Sequence, residues 1–192
     1  MLRILLIDDT PHKIGRLCAA LMEAGFEVTE ESDLTIDLPE RVKASRPDVV
    51  LIDTDSPDQD VMQRVAMVSR GQPRPIVIFT DDDDPKAMRQ AIRAGVSAYI
   101  VEGIQAQRMK PILDVAMARF ERDQAIRSQL QAREQQLIER KRIELAKGML
   151  MKIRDCSEED AYTLMRRQAM SRQQKLIQVA EQIVAMNELL GE

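Results

Sequence analysis

Residues 48–55 read DVVLIDTD: four consecutive apolar residues closed by two acids with a threonine between them. The apolar run is too short for a buried helix and is bounded by Pro47 and Pro57, so it reads as a strand covered on both faces. The same grammar recurs outward from it. LRILLI (2–7) leads into Asp8 and Asp9, PIVIF (75–79) into Thr80, and AYIV (98–101) into Glu102. FEVTE (26–30) is weaker and half polar, as expected of an edge strand. Between these runs, residues 12–24, 39–45, 61–68 and 85–94 carry apolar positions at helical spacing, the first and last stopping at Gly25 and Gly95. Strands alternating with helices imply parallel pairing through right-handed crossovers. The expected fold of 1–111 is a doubly wound, parallel, five-stranded α/β sheet.

Beyond residue 112 the strand signals vanish. Gly148 is the only glycine before Gly191, and no proline follows Pro111. Residues 112 to about 153 form one long helical pattern rich in Arg, Gln and Glu. Its apolar positions Ile126, Leu130, Leu137 and Leu145 repeat loosely, interrupted by Arg133 and Arg140, which leaves a self-pairing coiled coil open. Ser157 followed by Asp160 predicts a helix start, with that helix running to about Ala169. Ser171 is expected to cap a further helix over 172–190. The tail is therefore a long helix leading into a three-helix all-α module.

Composition bounds the function. Aromatics make up 3% of the 192 residues, with no Trp, which argues against proteins that stack bases on exposed aromatic platforms. The net charge of −4 conceals an uneven distribution: residues 1–111 carry −5, whereas 140–175 carry +5. A basic stretch of that kind is the electrostatic footprint of a nucleic-acid site, and equally of an ordinary solvated helix. No apolar run approaches the roughly 20 residues of a membrane span. Cys18 and Cys156 suit reduced thiols in a cytoplasmic protein.

Function in a doubly wound sheet gathers beyond the carboxyl ends of the strands. Asp8, Asp9, Asp53, Thr80 and Glu102 all fall there. Converging carboxylates repel unless a hard divalent cation lies between them, and a carboxylate is a competent nucleophile for an aspartyl-phosphate. On the acidic pair in LLIDDT, Asp53 in VVLIDTD, Thr80 in VIFTD and Tyr99 on the last strand, residues 1–111 resemble a response-regulator receiver domain, a flavodoxin-like fold. The resemblance implies Asp53 as phosphoacceptor and a Mg²⁺ site. There Asp9 and Asp53 ligate through side chains, Asp55 through its carbonyl and Asp8 through water. It also implies a switch formed by Thr80, Tyr99 and the residue at position 102. Receivers usually carry Lys-Pro after the fifth strand, where this chain has Glu102-Gly103. An anion there opposes a phosphoryl group, so control by a sensor or inhibitor protein on the receiver is expected over phosphorylation.

AKGMLM (146–151) and SEEDAYTLMRRQAMSR (157–172) are similar to the ANTAR domain, a three-helix RNA-binding module of transcription antiterminators. The resemblance places that module at 134–192, with 112–133 as a helical linker. Receiver, long helix and ANTAR module together resemble the AmiR/NasT group, and the VEG replacement points to its NasT-like, nitrate-assimilation branch. What this implies is a cytoplasmic homodimer, joined through the long helix, that binds leader-transcript hairpins and prevents termination. Lys147, Gly148, Arg166, Arg167, Arg172 and Lys175 are the RNA-binding candidates. Tyr162 is expected as core filler, as are Met149, Met151, Met165, Met170 and Met186.

No phosphate-cradling glycine loop, HExxH or nucleophile–histidine pattern stands out, and His12 is the sole histidine. An enzyme is not expected. The alternative class is a signalling adaptor whose helical tail captures proteins and whose basic residues are merely solvated. A DNA-binding regulator ranks third, because the tail lacks a helix-turn-helix pattern.

Overall fold

Strand β3 (Val49–Asp53) is buried along its whole length, as its unbroken apolar run requires. It pairs in parallel with β1 (Arg3–Asp8) on one side and β4 (Ile76–Thr80) on the other. β2 (Glu27–Glu31) and β5 (Ala98–Val101) are the edges, giving the order β2-β1-β3-β4-β5. The computed structural model describes residues 2–8, 14–31, 37–101 and 106–190. The doubly wound parallel sheet is therefore present as expected, and the register sets Asp8 directly against Asp53.

Alternation along the central strands divides the core into two layers. Leu5, Ile7, Val50, Ile52, Ile76 and Ile78 face α2 (Leu38–Ser45), α3 (Gln59–Gly71) and α4 (Pro85–Ala94). Ile4, Leu6, Val49, Leu51, Val77 and Phe79 face α1 (Ile14–Glu23) and the start of α5 (Ala106–Arg154). Asp37, Asp58 and Asp84 each accept a hydrogen bond from a first-turn N–H of the following helix. Gly95 closes α4 at φ 107, where a Cβ would also collide with the Ser69 hydroxyl.

The long helix starts earlier than its expected beginning at 112. The helix begins at Ala106, with Pro111 inside it, and Leu113 and Ala116 are fully buried against the sheet. An interior proline costs about 3 kcal/mol through its missing N–H and ring clash. Burial of Met109, Leu113 and Ala116 outweighs that local penalty. The chain divides into compact units Met1–Gln124 and Ala125–Glu192.

The second unit holds the rest of α5 with α6 (Glu158–Ser171) and α7 (Leu176–Leu190). Its core is Ala146, Met165, Ala169, Val179, Ala180 and Val184, three alanines allowing close helix approach. Ser157 caps α6 by accepting from Asp160 N–H, as its spacing predicts. Ser171 does not cap the last helix. Its hydroxyl donates back to the Gln168 carbonyl, ending α6, and α7 starts at Leu176. There the Gln178 side chain accepts from Lys175 N–H, half of a capping box without the hydroxyl residue.

Candidate functional site

Two separate regions carry the candidate chemistry. At the carboxyl edge of the sheet, Asp53 is 3% exposed and Thr80 4%, both at the ends of buried strands. The Thr80 hydroxyl donates to the Asp55 carbonyl at 2.9 Å and accepts from Asp82 N–H at 3.1 Å. Tyr99 reaches the same loop from β5, its hydroxyl donating to the Asp82 carbonyl at 3.0 Å. Partial burial first, then the Asp82 charge, raises the Tyr99 phenol above its ordinary range, so it stays a proton donor.

Asp82 is the residue that sequence reasoning missed. In the sequence it is one member of an acidic run. In the structure its carboxylate accepts from Asp84 N–H at 2.9 Å and from the Ser56 hydroxyl at 2.8 Å. These two bonds, the backbone one first, hold its carboxyl below the usual range. One side chain thereby ties the loop after β4 to the loop after β3, and its main chain engages both Thr80 and Tyr99. The only signal available in sequence was an Asp two residues before an N-capping Asp.

Among the described residues, the buried Asp53 carboxylate and the Asp55 carbonyl are hard oxygen donors of the kind that Mg²⁺ takes, and Asp8 is placed here by its backbone register alone. The carbonyl bonded by Thr80 keeps a second lone pair for a cation. Asp9, Glu102 and His12 lie outside the described residues.

In the helical unit the basic candidates separate. Lys147 is 8% exposed, its ammonium 2.7 Å from Glu158 and 2.8 Å from Glu144. Hydrogen bonds from Glu144 and then Glu158 raise its pKa, and Lys147 in turn lowers that of Glu158. This arrangement makes Lys147 a clamp from α5 onto the first turn of α6, not an open phosphate contact. Arg166, Arg167, Arg172 and Lys175 are exposed, and among the described residues none joins a salt bridge. Gly148 faces open space, with nothing within 4 Å of a Cβ placed there. It lines a groove of 410 Å³ with Leu145, Met149, Ile153 and Asn187, so packing inside the unit does not explain this glycine.

Other core expectations divide as well. Met165 is buried and Met149 packs partly against the core, but Met170 is 71% and Met186 64% exposed. Tyr162 is 42% exposed and outside the core cluster, which overturns its assignment as filler. Alanine, valine and Met165 form that core instead. Cys18 and Cys156 are free thiols, and burial, with Glu30 beside it, pushes Cys18 up to about 11.

Residues 4–114 match the Response regulator receiver domain family, more than half the chain. The chain belongs to that family. Residues 131–184 match the ANTAR domain, so the response regulator carries its second domain on the helical unit. Over 182 residues, 95% of this chain and 89% of the relative, it is 27% identical to the transcriptional regulatory protein PdtaR of Mycobacterium tuberculosis. Chemotaxis protein CheY of Listeria monocytogenes is 26% identical over 60% of the chain and 98% of its own length. Among solved structures, a CheY-like receiver from Methanospirillum hungatei superposes with TM-score 0.56 at 18% identity, covering 64% of this chain and 98% of that one. The latter likeness shows the fold alone. Among the described residues, no helix is long and apolar enough to cross a membrane.

Proposed function

We propose that this response regulator is a transcription antiterminator of the AmiR/NasT group, acting in the cytoplasm and without enzymatic activity of its own. It binds leader-transcript hairpins through the ANTAR unit and so prevents terminator formation. The observation that carries this reading is the exposed set Arg166, Arg167, Arg172 and Lys175, none of them in a salt bridge among the described residues, within the stretch that matches the ANTAR domain. Four cations without carboxylate partners are placed to neutralise phosphates, while Gly148 leaves an open groove for close backbone approach. Lys147 ties the first turn of α6 to α5.

Exposed Ile126, Leu130, Leu137 and Ile138 along α5 support a homodimer through the long helix. Asp53, Asp8, Asp9 and Asp55 form the Mg²⁺ and phosphoacceptor-like site, with Thr80, Tyr99 and Glu102 as the switch. Glu102 in place of the usual lysine favours a sensor or inhibitor protein over phosphorylation as the input. The nitrate-assimilation branch rests on AYIVEG (98–103) alone.

The test is a mobility-shift titration with hairpins from leaders of nitrate-assimilation transcripts, with and without a small phosphodonor. Wild type is expected to prefer hairpins over unpaired RNA of equal length. The Arg167→Ala/Arg172→Ala pair should lower the salt slope of log K by about 2. Equal binding to both RNAs, with protein capture unaffected by the double substitution, would instead establish the adaptor alternative.

A further inference from the structure

Tyr162 is the only aromatic residue in 125–192, and it is not where an aromatic of a small helical domain is normally needed. The core of the unit closes without it, on alanine, valine and Met165. On α6 the residues Tyr162, Arg166 and Met170 follow at intervals of four, a row along one helix face with neighbours roughly 6 Å apart. Tyr162 is 42% and Met170 71% exposed, with the free guanidinium of Arg166 between them. One exposed aromatic is ordinary. An exposed aromatic and an exposed thioether flanking an unpaired arginine form a strip that offers π, cationic and apolar contact together.

We infer that this strip is the base-reading part of the RNA site: Tyr162 stacks an unpaired loop base, with Arg166 bridging to the adjoining phosphate. The inference rests on the antiterminator reading and adds the side chain that meets a loop base, Tyr162, with Arg166 as its neighbouring cation. Charge sets the direction of the strand. The first turn of α6 carries Glu159 and Asp160, which repel phosphates, beside Glu158 paired with Lys147, whereas Arg166, Arg167 and Arg172 follow toward its other end. The phosphate chain therefore tracks the C-terminal half of α6, and the base projects back toward Tyr162. Base stacking on a single side chain suits a protein this poor in aromatics, because it needs a ring and a nearby cation, not a sheet of rings.

The experiment uses the full chain and a pool of hairpins with one fixed stem and loops randomised in sequence and length. Hairpins retained by wild type are resynthesised with 2-aminopurine at each loop position in turn. Wild type is expected to quench the fluorophore at one position. Tyr162→Phe should keep affinity within about twofold, while Tyr162→Ala and Tyr162→Leu lose it by about 5- to 150-fold and abolish that quenching. Thermal melts of all three variants should stay near wild type, since the ring lies outside the core. The salt slope should fall by about 1 for Arg166→Ala and stay unchanged for Tyr162→Leu. Retained affinity in Tyr162→Leu, or equal loss in Tyr162→Phe, overturns the stacking role while leaving hairpin binding intact. If wild type retains no hairpin above unpaired RNA, it is the antiterminator reading that falls.

Discussion

Lys147 lies between two carboxylates, and the two pKa shifts fix the pH range over which that clamp holds. The folded state raises the lysine above its usual 10.5, so its contribution is complete below that value and fades as pH rises through the folded one. Glu158 is lowered below 4.5, so its contribution is complete above that value and is lost as pH falls through the folded one. The clamp therefore spans the whole neutral range. Lys147→Ala is expected to speed amide exchange in the first turn of α6 at pH 7. The difference from wild type should vanish once the pH drops well under 4.5. Its hairpin salt slope should match wild type, because the ammonium is already neutralised. A slope smaller by about 1 with unchanged exchange would return Lys147 to the phosphate contacts. A lysine in a basic stretch carries no mark of its partners in sequence: Glu144 was visible three residues away, but Glu158 lies across a turn.

Helix endings show the same limit one level up. Gly25 and Gly95 adopt positive φ and stop α1 and α4, and both were legible because glycine is the residue such a position favours. The turn into α7 uses the same device without the glycine. Gln173 sits at φ 52, and Gln174 N–H reaches back to the Ala169 carbonyl at 2.9 Å. Ser171 then looked like the start of a helix when it was the end of one. A non-glycine side chain in the left-handed region costs about 1 kcal/mol, partly recovered because glycine frees the unfolded chain. Gln173→Gly is accordingly expected to stabilise the helical unit by about 0.5 kcal/mol, read as a small rise in its melting temperature. A lower melting temperature would mean that the Gln173 side chain makes contacts outweighing its backbone strain. The periodic elements and the acidic strand ends were legible because each repeats a local pattern. The knot at Asp82 and the exposure of Tyr162 were not, since both depend on which neighbours the fold supplies.

At the scale of the whole molecule, one helix serves two units, and this decides where the receiver ends. Pro111 marked a break in sequence, yet the helix that it interrupts supplies Met109, Leu113 and Ala116 to the layer under Ile4, Leu6, Val49 and Phe79. A fragment ending at 111 would leave that layer open on one side. Removing a buried leucine side chain alone costs about 2–5 kcal/mol. Typical domains hold only about 5–15 kcal/mol in total. Here Leu113 goes together with Ala116 and the partly buried Ile112 and Met117. Residues 1–111 should therefore fail to melt cooperatively and should bind a hydrophobic dye, whereas residues 1–124 should unfold in a single transition. Within the longer fragment, Leu113→Ala should cost several times more stability than Val115→Ala, whose side chain is 68% exposed. If 1–111 and 1–124 melted alike, α5 would be a passive tether to the receiver. If they differ as expected, the first turns of α5 belong to the receiver's own core, and the receiver ends beyond Pro111.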